Sequence, residues 1–480
     1  MGRGIWRLLV AVVLMVGGLG CDVVHRNGGD VPRHDVKASN PPKGLPATFT
    51  QGQRLRWRAC ADAGEGYECA VMKAPLDHRK PEQDAIDVAL IRKRATGPER
   101  DRIGSLVLNF GGPGVSGVDG LPKYAGQYAS LGERYDLVSF DPRGVGRTIP
   151  VTCGEKAYEG SGECAKRSGK VLPFVGTSRT ARDLDLLRYL LGDEKLHYFG
   201  VSYGTQLGGV YAHLFPRHVG RTVLEAPVDP TVDRVEGDIE QVKAVQRAYE
   251  RFSRWCVREY RHCPVAREPD PSAVEGLRKK FRDQGDAAHA ISNFLDSGTA
   301  GWKPLARALT DAVERGDGTR LMRKAYDREP GARAESASAS ADNGTSALVA
   351  ITCADSDLRP GYERAAALER RLADASTVFG KAWGDSVYLC YDWPYDGEAA
   401  TPDVRAAGAA PVLVVANTGD PTTPYVGGRR MARELGAGVG VLLGVRAEGH
   451  GSYPQEECAA RAIDGYLLAG RVPRDGTRCG

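Results

Sequence analysis

Ser202, Asp420 and His450 are the side chains of this 480-residue chain whose types and settings could together break an acyl bond. A serine hydroxyl is too weakly acidic to attack a carbonyl unaided; it needs a base to take its proton, and the base needs a partner that orients it. Ser202 lies in Gly200-Val201-Ser202-Tyr203-Gly204, the G-x-S-x-G pattern of a sharp turn that exposes a serine hydroxyl. Of nine histidines, His450 stands out in Glu448-Gly449-His450-Gly451, a flexible turn. Asp420 sits in Asn417-Thr418-Gly419-Asp420-Pro421-Thr422-Thr423-Pro424. Taken singly, an Asp before a Pro or a Gly-flanked His reads equally well as an ordinary turn residue. A chain with 60 glycines also produces G-x-S-x-G by accident, so the surroundings must carry the reading.

Acyl transfer needs donors aimed at the oxyanion of its tetrahedral intermediate. The Tyr203 amide, next after Ser202, is one candidate. The loop Gly111-Gly112-Pro113-Gly114 offers another at Gly111 and Gly112, where missing side chains let the backbone approach a substrate. No Gly-Lys-Ser/Thr follows that loop, which sets a phosphate loop aside.

These residues need a frame that brings them to one place. Residues 195–199 form a short apolar strand ahead of Ser202, and Leu207, Val210, Tyr211 and Leu214 repeat at helical spacing behind it. A helix over 180–191, with Leu184, Leu187 and Leu191 in register and Gly192 as its cap, precedes the strand. Further strands are predicted at 106–110, 137–140, 221–226, 412–416 and 441–443, the second ending in Asp141-Pro142-Arg143-Gly144. Helix, strand, turn and helix in this order mean a mostly parallel α/β sheet, whose ligands bind beyond the carboxyl ends of the strands. From about 227 to 401 charged helical segments replace strand signals, and residues 336–341 are the low-complexity run Ser-Ala-Ser-Ala-Ser-Ala. The expected layout is a core over 47–226, a mainly helical cap inserted over 227–401, and the rest of the core over 402–480.

A formal charge of +4 gives no reason to expect nucleic acid as a partner. Arg3 and Arg7 precede an apolar run from Leu8 to Val16, the layout of a secretory signal over 1–20 and short for a bilayer span. Gly18-Leu19-Gly20-Cys21 resembles the lipobox of bacterial lipoproteins, with Gly18 where leucine is usual; Cys21 is thus a candidate lipidation site and 21–46 a tether. Ordinary cleavage and release is the alternative. Membrane contact is expected only through that anchor. Setting Cys21 aside leaves ten cysteines, an even number that suits disulfides in an exported chain. Pairing neighbours joins Cys60 with Cys69, Cys153 with Cys164, Cys256 with Cys263, Cys353 with Cys390 and Cys458 with Cys479, although sequence does not fix that connectivity. No cysteine pair has the spacing of a zinc site.

Ser202, Asp420, His450 is the chain order of α/β-hydrolases. Asn109-Phe110-Gly111-Gly112-Pro113-Gly114-Val115-Ser116-Gly117, Phe140-Asp141-Pro142-Arg143-Gly144-Val145-Gly146-Arg147, the Ser202 turn, Cys390-Tyr391-Asp392-Trp393-Pro394 and the Asp420 and His450 turns resemble the secreted actinobacterial tripeptidyl aminopeptidases and their proline iminopeptidase relatives. The likeness runs from about residue 50 to the C-terminus. It implies an exported monomeric serine exopeptidase of the α/β-hydrolase fold that releases short peptides from free N-termini, with no metal or organic cofactor. Such an enzyme needs acids near its cap to hold the substrate ammonium; Glu225, Asp355 and Asp357 are the candidates. Phe110, where proline or histidine is common, and Leu224-Glu225-Ala226-Pro227, where Leu-Asp-Gly is usual, depart from the pattern near the pocket. A small-ester esterase or lipase uses the same three residues and is the main alternative. A catalytically inert binding lipoprotein is the third reading.

Overall fold

Ten strands make one sheet in the computed structural model, which describes residues 37–153, 162–282, 286–326, 343–398 and 402–480. The expected signal segment, Cys21, the tether up to residue 36 and the 336–341 run lie outside these residues. The strands are β1 (Arg58–Ala59), β2 (Tyr67–Pro75), β3 (Ala85–Lys93), β4 (Gly104–Asn109), β5 (Tyr135–Phe140), β6 (Leu196–Val201), β7 (Val219–Glu225), β8 (Val412–Gly419), β9 (Gly440–Glu448) and β10 (Thr477–Cys479). They are ordered β1-β2-β3-β5-β4-β6-β7-β8-β9-β10. All pairings from β5 through β10 are parallel, and β1, β2 and β3 join antiparallel at one edge. The antiparallel pair β2 and β3 was not among the predicted strands.

Side-chain alternation places a helical layer on each face of the sheet. Val107, Tyr198, Leu224, Val412 and Val414 point to one apolar cluster, whereas Leu106, Leu108, Phe199, Val223, Leu413 and Val415 point to another. The first face is covered by α2 (Thr177–Leu190), α3 (Tyr203–Leu214) and α8 (Tyr425–Leu435), through residues such as Leu184, Leu187, Leu207 and Met431. The second is covered by α1 (Gly117–Tyr124) and α9 (Glu457–Ala469), through Leu121, Ile463 and Leu467. Burial on both sides explains why β4 and β5 read as continuous runs with no exposed residue.

From β4 the chain crosses to β5 on one side and then to β6 on the other, so the carboxyl ends of β4 and β6 flank a topological switch point. Between β7 and β8, which pair directly, the regular elements among the described residues are helices. This insert includes α4 (Arg234–Glu259), α5 (Ala287–Leu295), α6 (Thr299–Glu314) and α7 (Gly344–Asp355). Most of it packs around its own cluster, with Val242, Phe252, Ile291 and Leu305 fully buried. By contrast, α7 joins a smaller cluster containing Tyr203, Val145 and Val175 of the sheet domain. All five neighbour disulfides form as the sequence suggested. Among the described residues no helix is long and apolar enough to cross a membrane.

Candidate active site

Ser202 stands at the carboxyl end of β6 with φ 57° and ψ −122°, a conformation rare outside glycine. Its neighbours make that turn sterically feasible. A Cβ at Gly200 would overlap the Gly204 carbonyl, and one at Gly204 would lie 2.8 Å from the Asn109 carbonyl oxygen. Both positions of the G-x-S-x-G pattern must therefore be glycine for strand and helix to meet this closely. The Ser202 amide donates to the Glu225 carbonyl at 3.0 Å, which extends the β6–β7 ladder one residue into the elbow.

Asp420 and His450 follow the adjacent parallel strands β8 and β9. His450 Nδ1 lies 3.1 and 3.0 Å from the two carboxylate oxygens of Asp420, whose side chain is wholly enclosed. Three more donors saturate that carboxylate. The amides of Thr422 and Thr423 each reach Oδ1 at 2.8 Å, and the Thr423 hydroxyl donates to Oδ2 at 2.9 Å. A buried carboxylate with this many donors is held in a fixed orientation. The glycine-rich loop carrying His450 is pinned as well. Asn417 Nδ2 donates to the carbonyls of Gly449 and Gly451 at 3.0 and 2.7 Å.

The glycine loop after β4 lies directly on the elbow: a Cβ at Gly111 would be 3.0 Å from that of Ser202 and 2.8 Å from the Val201 carbonyl oxygen. Gly111 and Gly112 take φ 95° and 103°, left-handed values that suit glycine. Their amides differ in hydrogen bonding. The Gly111 amide donates to Asn109 Oδ1 at 3.1 Å and is committed within the loop. The amides of Gly112 and Tyr203 have no acceptor among the described residues.

The three acids named for a substrate ammonium part company. Glu225 is buried behind the base loop, where Oε1 accepts the amides of Ser452 and Tyr453 at 2.8 Å each; burial raises its pKa above the ordinary value. It holds the loop of His450 in place. Asp355, at the end of α7, meets the sheet domain: its carboxylate accepts the Thr177 amide at 2.6 Å, the Thr177 hydroxyl at 2.5 Å and Gln206 Nε2 at 3.0 Å. Burial, with Glu398 nearby adding like charge, pushes its pKa up to about 7. Asp357 is exposed, and no hydrogen bond among the described residues ties it to the elbow. Thr423, Asn417 and Asn109 went unnoticed in the sequence because each resembles an ordinary turn residue; their only signal is a position two or three residues from Asp420 or Gly111. No cluster of His, Cys, Asp and Glu among the described residues could hold a metal ion.

Residues 104–259 match the α/β-hydrolase fold family and residues 353–479 match the family described as TAP-like protein. Serine protease Hip1 of Mycobacterium tuberculosis is 30% identical, over 99% of this chain and 97% of that protein. The tripeptidyl aminopeptidase of Streptomyces lividans is 28% identical, over 88% and 86% of the two chains. Carboxylesterase B of Mycobacterium tuberculosis is 30% identical, over 88% and 89%. With the elbow, the Asp–His pair and these relatives together, the chain belongs to the α/β-hydrolase superfamily, in the family of TAP-like serine peptidases.

Proposed function

We propose that this hydrolase is an exported exopeptidase that frees short peptides, tripeptides first among them, from unblocked N-termini through an acyl-enzyme on Ser202. The observation that carries the reading is the Asp420–His450 pair after β8 and β9, at the same carboxyl edge of the sheet as the Ser202 elbow after β6. With Nδ1–H given to Asp420, Nε2 is the basic nitrogen of the ring. His450 then takes the Ser202 proton as Oγ attacks the peptide carbonyl, and returns it to the departing amine. Water, deprotonated by the same nitrogen, attacks the acyl-enzyme and releases the N-terminal fragment. The Gly112 and Tyr203 amides supply the oxyanion donors in this scheme; Gly111 keeps the loop in shape.

Exopeptidase action requires a counter-charge for the substrate ammonium, and Asp355 fits best of the three acids. Its carboxylate is desolvated and faces Gln206, one turn along the helix that Ser202 opens. An incoming ammonium would draw it into the ionised form. Five disulfides suit an oxidising compartment, and a lipid on Cys21 would hold the enzyme at the cell surface.

The test is a peptide library presented with free and with acetylated N-termini, read by product mass. Release of tripeptides from the free set alone is expected; equal cutting of both sets removes the exopeptidase assignment. The likeness to a protein named carboxylesterase B favours a second reading, hydrolysis of small esters. Rapid turnover of acyl esters with no cleavage of any free peptide would establish it instead.

A further inference from the structure

The turn between α5 and α6 belongs to the insert, yet it closes a ring of contacts through the acid and base loops of the sheet domain. Asp296 is its centre. The backbone amide of His450 donates to the Asp296 carbonyl at 2.8 Å. The hydroxyl of Thr422 donates to Asp296 Oδ1 at 2.6 Å. Thr422 in turn gives its own amide to Asp420 Oδ1 at 2.8 Å, and Asp420 meets His450 Nδ1 at 3.0 Å. The path Asp296, Thr422, Asp420, His450 and back to Asp296 is thus unbroken.

Two further observations show that this approach is built into the sequence. Gly298, at φ 59°, has no room for a side chain: a Cβ there would overlap the Glu448 carbonyl. Its counterpart Gly449, at φ 96°, would place a Cβ 2.6 Å from Gly298 N and 2.9 Å from the Asp296 carbonyl oxygen. Backbone therefore lies on backbone where the insert meets the base loop. A second bridge repeats the arrangement from α4. Arg251 Nη2 donates to the Gly419 carbonyl at 3.2 Å, and its Nε forms an ion pair with Glu448 at 2.6 Å. Residues from two elements of the insert thus each touch the end of β8 and the end of β9.

The base loop needs such support. Gly449 and Gly451 flank His450 with left-handed φ, so the loop has wide conformational freedom unless it is tied, and proton transfer tolerates little misplacement. We propose that Asp296 is a positioning residue of the acid–base pair, and that the α5–α6 turn of the insert is a structural part of the catalytic unit rather than only a cover over it. This rests on the reading of Ser202, Asp420 and His450 as the reacting groups.

The test measures steady-state peptide or ester hydrolysis, whichever the full-length enzyme performs, together with the rate at which a fluorophosphonate labels Ser202. Asp296→Ala should lower kcat about tenfold with KM little changed, and slow labelling by a similar factor, as loss of a short charge-assisted hydrogen bond would. Asp296→Asn, which retains an Oδ1 acceptor, should recover most of that loss. Thr422→Val should reproduce it, and Asp296→Ala/Thr422→Val should be no worse than either single change, because both remove the same link. A melting curve on each variant verifies folding. Full activity in Asp296→Ala, a loss confined to KM, equal loss in Asp296→Asn, or multiplying effects in the double variant would each overturn the proposal. An unlabelled Ser202 in the unmodified enzyme would overturn the underlying assignment instead, so the two failures are distinguishable.

Discussion

The carboxyl edge of the sheet and the helical insert both reach the Ser202 elbow, and they hold their contributions by different means. At the sheet edge each of the three proposed reacting groups lies within two residues of a strand end: Ser202 after β6, Asp420 after β8, His450 after β9. Ladder hydrogen bonds and a core covered on both faces fix those positions. The insert has its own apolar cluster and meets the edge through the small apolar cluster of α7 and through polar anchors, among them Asp296, Arg251, Asp355 and Asn343. Asn343 shows the pattern well, with Nδ2 donating to the Gly144 and Val151 carbonyls and Oδ1 accepting the Gly146 amide. Reacting atoms set on a rigid frame, with binding and adjustment delegated to a separately packed layer, let one reaction serve varied substrates. Changes at the edge should therefore abolish turnover, and changes in the insert should grade it.

Substitutions at the edge and in the insert test that contrast. Ser202→Ala should reduce kcat at least about 10⁴-fold while leaving the melting temperature near that of the unmodified protein; residual turnover above that level would mean the edge does not hold the nucleophile. Next in size, Gly298→Ala forces a side chain against Glu448, and should cost about 1–3 kcal/mol of stability and roughly tenfold in kcat. Denaturant unfolding and steady-state rates measure the two. If kcat stays intact, the insert is not coupled to the base loop.

Asp355→Asn is smaller and carries a pH signature. Because the folded carboxyl titrates at about 7, above its ordinary value, folding is favoured by the protonated form; that contribution is full below the ordinary carboxylate range and is lost as pH rises through about 7. Melting temperatures of variant and parent should diverge in the variant's favour as pH rises from about 4 to about 7. KM for a free peptide should rise about tenfold, with kcat less affected. Smallest for catalysis is removal of the Cys458–Cys479 disulfide, which ties α9 to the edge strand β10. Replacing both residues with serine should cost about 2–4 kcal/mol in denaturant unfolding while kcat is unchanged.

The same contrast governs what the sequence reveals. Sheet-edge turns are local events: Gly200 and Gly204 around Ser202, the paired glycines at 111 and 112, and the glycines beside His450 are punctuation that stands out in a short window. Strands β4 to β9 carry enough branched and large apolar residues to be recognised, though β8 and β9 run on past their predicted ends to Gly419 and Glu448. The β2 alternation escapes notice because its inward residues include the small Ala70 and Ala74, while Val71 points outward. Asp296 could not have been singled out, because its partners Thr422 and His450 are far along the chain and nothing in its turn sets it apart from other aspartates. The predicted acids diverge for the same reason: the exposure of Asp357, the half-burial of Asp355 and the burial of Glu225 depend on packing between distant segments. Disulfide pairing was legible only because every partner proved to be the next cysteine in the chain.

The central claim is that the sheet edge makes Ser202 an acyl-enzyme nucleophile driven by His450. Peptide mapping by mass after treatment with a fluorophosphonate tests it most directly. One adduct is expected, on the peptide that contains Ser202, and it should disappear in His450→Ala. An adduct on another serine, or undiminished labelling of Ser202 in His450→Ala, would contradict the account.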